Sequence, residues 1–115
     1  LLNRAHAAIQ LGLIHDRNKD HRRALRYYRW VVTSGLVHHQ PEFAFVLYNI
    51  AVEHISLFEM PKALEMLCLI RSEYSELWPT VVDWLQSSDH LLESLQVDRT
   101  CRTELEQLEP AFFAA

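Results

Sequence analysis

Histidine and cysteine are the residue types with which this sequence could bind a metal ion, and it contains seven of the first and two of the second. His38 and His39 are adjacent in a predicted loop, and one such pair makes a weak site. His6 and His15 are nine residues apart, so they do not share the i, i+4 face of a zinc-binding helix. Neither cysteine has another ligand at the spacing of a zinc site. The sequence therefore predicts no metal site and no cofactor.

Residues suited to catalysis are as sparse as metal ligands. Two glycines are too few for a glycine-rich phosphate loop, and no nucleophile elbow occurs. Cys68 lies in the apolar run 66–70, which is typical of a cysteine in a core. Glu104, Glu106 and Glu109 are predicted to form a charged face near the end of the chain. We predict no catalytic residues and expect that the protein is not an enzyme.

Length and composition indicate one small helical domain. The 115 residues are 50% apolar and 23% charged, which is ordinary for a globular protein with one core. Only two Gly and four Pro occur, which favours helices over a β-sandwich. Two cysteines form no disulfide framework, so we expect a reducing, cytoplasmic location, and no apolar run nears the ~20 residues of a membrane span. Because residue 1 is Leu, we expect residues 1–115 to be a domain excised from a larger protein.

Helical periodicity divides the chain into paired segments. Small and apolar residues recur at helical spacing from Ala5 to His15, and again after Asp20, which is a good N-cap. A shift of 39 residues superimposes this pattern on residues 44–70, which indicates a repeat. Among the equivalent positions are His15 and His54, which we expect to be buried neutral histidines. The other pairs are Ala5 and Ala44, Ala8 and Leu47, Leu11 and Ile50, Gly12 and Ala51, Ala24 and Ala63, Leu25 and Leu64, Tyr28 and Leu67, and Val31 and Ile70.

The last third of the chain has a weaker pattern of the same kind. Pro79 suits the first turn of a helix whose apolar residues continue to Leu95, and Val97-Asp98 then interrupt it. A short final helix is predicted from the spacing of Cys101 and Leu105, and we interpret the whole segment as a third, degenerate hairpin. The predicted fold is therefore all-α, a single domain of about six helices in three antiparallel hairpins, at about 3–34, 41–74 and 79–109.

The first two hairpins carry the marks of a known helical repeat. Leu11-Gly12, Ala24 and Tyr28 resemble the Leu-Gly pair, the Ala and the aromatic residue of a tetratricopeptide repeat (TPR). The resemblance covers about 65 residues, but the 39-residue offset exceeds the family period by about five residues. It implies a right-handed superhelix in which small residues let two helices cross closely. The second hairpin keeps three small or apolar residues of the pattern but has Leu at the aromatic position: Ile50, Ala51, Ala63 and Leu67.

By this resemblance, the first helices of the hairpins line a concave groove, and the protein is a non-catalytic scaffold or adaptor. A carboxylate clamp of the kind found in chaperone adaptors is not expected, because Ile9 and Leu13 replace its polar groups. The mainly apolar groove suits an amphipathic helix or an extended segment of a partner protein. The same residues could instead pack against helices of this chain, or join two copies of it. The predicted groove residues are Ile9, Gln10, Leu13, Phe45, Tyr48, Asn49, Val52 and Ile55.

Positive charge is concentrated in the first third of the chain. Residues 1–40 contain seven Lys and Arg against two Asp, whereas residues 41–115 contain four Lys and Arg against 13 acidic residues. The basic surface could be a solvated helix face, dock RNA or an acidic segment, or contact the acidic part of a second copy. The pI of 5.9 is far below that of a nucleic-acid-binding domain, so RNA is disfavoured. The residues of the basic surface are Arg22, Arg23, Arg26 and Arg29.

Three tryptophans are available as core residues or as binding anchors. Periodicity places Trp30 partly inward, and we expect it, Trp78 and Trp84 to pack in the core or at the junctions of hairpins. Trp78 lies between the second and third hairpins, where exposure would mark a binding hot spot.

Overall fold

The computed structural model of the protein describes residues 2–114, apart from the side chain of Asp89. Within these residues the chain is all-α, as the sequence predicts, and contains no strand. It has eight α-helices where the sequence predicts about six, and a 3-10 turn at Pro41–Ala44 and at Pro110–Phe113. The helices are α1 (Leu2–Arg17), α2 (His21–Thr33), α3 (Leu36–His39), α4 (Phe45–Ser56), α5 (Met60–Glu73), α6 (Trp78–Ser87), α7 (Asp89–Val97) and α8 (Arg102–Leu108). None in this described range has the length and apolar character needed to cross a bilayer.

The turns between α1 and α2 and between α4 and α5 have the same backbone conformation, 39 residues apart. Lys19 and Phe58 hold the left-handed position of these turns, with φ of 60° and 59°. In both turns the next amide donates over 2.8 Å to the carbonyl five residues before it, which is the longer hydrogen bond of a Schellman motif. Because neither residue is glycine, each turn holds a side chain in a backbone region that costs about 1–2 kcal/mol. The repeat inferred from the apolar pattern thus extends to the hydrogen bonds of the turns.

The extra residues of the 39-residue repeat lie in a partly buried connection between α2 and α4. Gly35 reverses the chain after α2 with a φ of 82°, which favours glycine. The short helix α3 then buries Leu36 and Val37, and the following 3-10 turn buries Phe43. These side chains fill one edge of the joint between the first and second helix pairs.

The last third of the chain is divided differently from the prediction. The single helix predicted from Pro79 to Leu95 is two helices, α6 and α7, because Ser88 has non-helical angles of φ −111° and ψ 87°. Ser87 and Ser88 favour this break, since short polar side chains compete with the hydrogen bonds of a helix interior. Helix α7 contacts α4 and helix α8 contacts α5. The stacking of helices therefore continues through α7 and α8, and α6 connects them to the second pair.

Helix α4 lies between two apolar clusters that make up the core. The N-terminal cluster packs α1, α2 and α3 against Val46 and Ile50 of α4. The C-terminal cluster packs Leu47, Ala51 and Ile55 of α4 against α5, α6, α7 and α8. Each cluster covers a different face of α4, so this helix is buried on both sides.

Gly12 allows α1 and α2 to cross closely, as expected. A Cβ atom at Gly12 would lie 2.4 Å from Cε1 and 2.8 Å from Cζ of Tyr28. Tyr28 is only 1% exposed, so its ring cannot turn away without leaving the N-terminal cluster. The spacing of the two helices therefore depends on the missing side chain.

Cys68 is exposed, so its prediction as a core residue is wrong. Its neighbour Leu67 is buried at 0% exposure, and successive residues of an α-helix differ in direction by about 100°. That rotation turns the thiol of Cys68 toward solvent. Cys101 is buried at 5% exposure in the C-terminal cluster.

Candidate functional site

Six of the eight predicted groove residues are accessible to a partner. Ile9 and Ile55 are buried members of the two apolar clusters, at 6% and 2% exposure. These two side chains position α1 and α4 and offer little surface to a ligand. The accessible residues are the exposed Gln10 and the half-buried Leu13, Phe45, Tyr48, Asn49 and Val52.

The last third of the chain covers part of α4. Tyr48 and Val52 pack partly against the C-terminal cluster, to which α7 contributes Leu91 and Leu95. The ring centroids of Tyr48 and Trp84 are 4.9 Å apart, with the planes inclined by 46°. Burial raises the pKa of Tyr48 to about 12. Part of the predicted groove is thus filled by the chain's own helices, and the aromatic pair forms the edge of what stays open.

The tryptophans differ in exposure. Trp78 is buried at 8% exposure, and its Nε1–H donates to Oε1 of Glu109 over 3.1 Å. Its ring meets that of Phe112 edge to face, with centroids 6.5 Å apart. Trp30 and Trp84 are 38% and 39% exposed, more than a packed core residue. Trp78 is therefore packed as expected, whereas Trp30 and Trp84 keep exposed aromatic surface.

A second feature is a polar cluster between the two helix pairs, beside their turns. Glu53 and His54, on α4, are 1% and 2% exposed and are the buried polar residues among the side chains that the structure describes. Nδ1 of His21 lies 2.9 Å from Oε1 of Glu53 and 3.7 Å from Oδ1 of Asp16. One imidazole and two carboxyl groups from α1, α2 and α4 thus converge on one point.

The electrostatics of this point are set by burial. The pKa of Glu53 is raised to about 9, chiefly because the carboxyl group is removed from water. A hydrogen bond with Asp16 and the negative charge of Asp16 raise it further. Burial also raises the pKa of Tyr28, with further contributions from Glu53 and Asp16. Oε1 of Glu53 also lies within hydrogen-bonding distance of Nδ1 of His21.

His54 connects α2 to the second turn. Nη2 of Arg29 lies 3.1 Å from Nε2 of His54, and Nδ1 of His54 lies 3.0 Å from Oε1 of Glu59. Because Arg can only donate, Nε2 accepts and Nδ1–H donates to Glu59, so His54 is neutral. Both terminal nitrogens of Arg22 donate hydrogen bonds to the Glu59 carboxylate, over 2.8 and 3.3 Å. Nζ of Lys62 lies 3.8 Å from Oε2 of Glu59. The hydrogen bonds from Arg22 and His54 lower the pKa of Glu59 to about 2.

The two equivalent histidines of the repeat have different surroundings. His54 is buried and neutral as expected, although its partners are Arg29 and Glu59 rather than the backbone or a tyrosine. His15 is half-buried, and its ring stacks on that of Tyr27 with centroids 5.5 Å apart and planes 6° from parallel. The expectation of a buried histidine is therefore wrong for His15.

Most of the predicted basic surface is engaged within the chain. Arg22 pairs with Glu59, Arg29 is hydrogen-bonded to His54, and Nε of Arg23 lies 3.4 Å from a carboxylate oxygen of Asp20. Within the described residues, Arg26 is the one member of the set without a hydrogen bond or ion pair. Carboxylates thus offset the charges of Arg22 and Arg23, whereas Arg29 contacts an imidazole and keeps its charge.

A cleft of about 660 Å³ opens beside the connection between α2 and α4. It lies between α2 and α3 on one side and the end of α5 on the other, and no predicted groove residue lines it. Its wall combines the aromatic ring of Tyr74 with polar groups of His38, Glu73 and Glu76. The cleft is therefore a concave surface separate from the predicted groove residues.

Sequence reasoning did not find Glu53, Glu59 or His21. A usable signal was Glu53, because it interrupts the apolar run 50–55 of a helix that the repeat places at the centre of the chain. A carboxyl group in such a run is either exposed on one helix face or buried with a partner. Glu59 follows the turn and gives no signal of its own.

Comparison of the chain with models of protein families, with curated proteins and with solved structures gave no match in any of the three.

Proposed function

We propose that this chain is a non-catalytic protein-interaction module, a scaffold or adaptor with a TPR-like arrangement of helix pairs. Its ligand is a helical segment of a partner protein, bound along α1 and α4. The observation that carries the proposal is the accessible apolar surface of the groove beside the Tyr48–Trp84 ring pair. Partly exposed aromatic residues next to aliphatic ones are typical of binding hot spots. The identical turns and the close crossing at Gly12 support the TPR-like arrangement.

The charge around the groove indicates the chemistry of the partner helix. Residues 72–98, which contain α6 and α7, carry six Asp and Glu and no Lys or Arg. Asp83 and Glu93 are exposed on these helices. An amphipathic helix with an apolar face and basic flanks is therefore the preferred ligand, because opposite charges speed the encounter and disfavour acidic competitors.

The proposal is tested with a display library of amphipathic helical peptides, some with basic and some with acidic flanks. We expect basic-flanked peptides to be selected, and the tightest of them is titrated against the chain by fluorescence anisotropy. Leu13→Asp and Tyr48→Asp should each weaken binding at least about tenfold, or 1.4 kcal/mol. Circular dichroism confirms that the helix content of each variant is unchanged.

Ile14→Asp is the matched control for this experiment. Ile14 follows Leu13 on α1, is 48% exposed, and is not among the predicted groove residues. If a folded Leu13→Asp chain binds as tightly as the parent, or if Ile14→Asp weakens binding as much, the groove is not the site. A peptide that tolerates both groove variants but is lost on Tyr74→Ala would place the ligand in the cleft beside α5.

Self-association is the second candidate function. Leu11 and Ile14, at 39% and 48% exposure, are large apolar side chains on α1 that a second copy could cover. Light scattering after size exclusion, at low and high salt, separates the cases. A salt-resistant dimer would favour apolar self-association over the peptide groove, and a dimer that dissociates in salt would indicate contact between the basic and acidic parts of two copies.

The cytoplasm is the proposed location. Cys68 and Cys101 are both free thiols, and Cys68 is exposed. A reducing compartment keeps such a thiol from forming disulfides between chains.

A further inference from the structure

Asp16, His21 and Glu53 have the geometry of a three-residue metal-ligand set. One atom from each of them, an imidazole nitrogen and two carboxylate oxygens, lies within 4.8 Å of the other two. Nδ1 of His21 is 2.9 Å from the Glu53 oxygen and 3.7 Å from the Asp16 oxygen. Ligand atoms about 2.0–2.1 Å from a tetrahedral zinc ion are about 3.3 Å from each other. These two distances lie on either side of that value, and the Asp16 and Glu53 oxygens are within 4.8 Å of each other, so movements of the side chains would complete the set.

We propose that Asp16, His21 and Glu53 form a binding site for a divalent transition-metal ion, for which Zn²⁺ is the best-suited probe. An imidazole ligand favours zinc and similar ions over Mg²⁺ and Ca²⁺, which prefer oxygen ligands alone. The buried Glu53 forms the floor of the site, since its side chain is 2% exposed. Asp16 and His21 form its mouth, at 37% and 21%. An ion can enter from this side and keep water as its fourth ligand.

The place of the site in the fold explains how the ligands are held. Asp16 lies in the last turn of α1, His21 is the first residue of α2, and Glu53 comes from α4. The backbone of the first turn fixes the two outer ligands, because the amide of Lys19 donates to the carbonyl of Asp16 over 2.9 Å. The positive charge of the neighbouring Arg22 would repel a cation, but the carboxylate of Glu59 offsets it through two hydrogen bonds.

A bound ion would link the first helix pair directly to the second. This role goes beyond the proposed peptide groove and does not depend on it, because none of the three ligands is among the predicted groove residues. The site also differs from the histidine spacings considered in the sequence. It joins residues that are up to 37 positions apart, which only the fold brings together.

The test is calorimetric titration of the chain with Zn²⁺, in parent and variant proteins. His38 and His39 are exposed and adjacent and could bind zinc themselves, so all variants are made in a His38→Gln, His39→Gln background. We expect one Zn²⁺ per chain in this background. Asp16→Asn and His21→Gln should each weaken Zn²⁺ binding by about 100-fold or more. Loss of a group that only hydrogen-bonds to a metal ligand typically lowers metal affinity by about 10–100-fold, and loss of a ligand should cost at least as much.

Asp20→Asn is the matched control. It removes one negative charge four residues from Asp16 and keeps a side chain that caps α2 well. Its affinity for Zn²⁺ should equal that of the background protein. The proposal is overturned if the background protein binds no Zn²⁺, if folded Asp16→Asn and His21→Gln chains bind it unchanged, or if Asp20→Asn weakens binding as much as Asp16→Asn.

Discussion

Gly12→Ala sets two opposite effects of one methyl group against each other. At an exposed helix position, replacing Gly by Ala stabilises a protein by about 0.5–1 kcal/mol, because Ala loses less backbone entropy on folding. At Gly12 the added Cβ would lie 2.4 Å from Cε1 of Tyr28. Ordinary contacts between carbon atoms are about 3.5–4.0 Å long. Either α1 and α2 separate, or the buried ring of Tyr28 is displaced.

The structure indicates that the steric effect is the larger one. Overpacking a core by a methyl group typically costs about 1–3 kcal/mol. After the gain in helix propensity, we expect Gly12→Ala to lower the free energy of unfolding by about 1–2 kcal/mol. A loss of this size corresponds to a drop of about 4–10 °C in Tm for a chain of this length. Urea unfolding followed by far-UV circular dichroism measures it.

Two further proteins make the result decisive. Ala7→Gly, at an exposed position of the same helix, measures helix propensity alone and should cost about 1 kcal/mol. In a Tyr28→Leu background the clash is absent, so Gly12→Ala should become neutral or stabilising. A Gly12→Ala protein as stable as the parent, or an equal loss in both backgrounds, would refute the close crossing of α1 and α2.

Three other outcomes are expected. Because the pKa of Glu59 is lowered from 4.5 to about 2, its carboxylate stabilises the fold fully above pH 4.5, and this contribution is lost as the pH falls toward 2. Urea midpoints of the parent should therefore fall more across this window than those of Glu59→Gln, and parallel curves would contradict the Arg22 and His54 contacts. Phe58→Gly should raise the free energy of unfolding by about 0.5–1 kcal/mol by relieving the left-handed backbone, and a loss in urea unfolding would argue against that conformation. A thiol reagent should label Cys68 alone in the native chain and Cys101 only after unfolding, whereas two fast-reacting thiols would mean that the last third is loosely packed.

The helical class and the first two helix pairs could be predicted because local signals agree there. Asp20 caps the start of α2, and Gly35 lies in the left-handed conformation between α2 and α3. The glycine at position 12 marks the place where α1 and α2 cross. The break at Ser88 was missed because the apolar residues on either side of it continue at helical spacing. The periodicity of apolar residues shows which residues face a core. It does not change where a helix changes direction but the same residues still face inward.

The polar cluster could not be predicted, because its members meet only through tertiary packing. His21 and Glu53 are 32 residues apart, and their contact depends on the angle between two helix pairs. Cys68 shows the same limit on a smaller scale. One step of rotation along α5 separates the buried Leu67 from an exposed thiol, and the apolar residues around them conceal this difference in the sequence.

The position of α4 between the two apolar clusters has a consequence for the order in which the protein opens. An opening that exposes the N-terminal cluster leaves Leu47, Ala51 and Ile55 covered, and an opening of the C-terminal cluster leaves Val46 and Ile50 covered. Amide protons of α4 therefore exchange with solvent at an appreciable rate only when both clusters are lost, which is global unfolding. The free energy of opening thus has its maximum near the middle of the sequence and falls toward both ends, where α1 and α8 each depend on a single cluster.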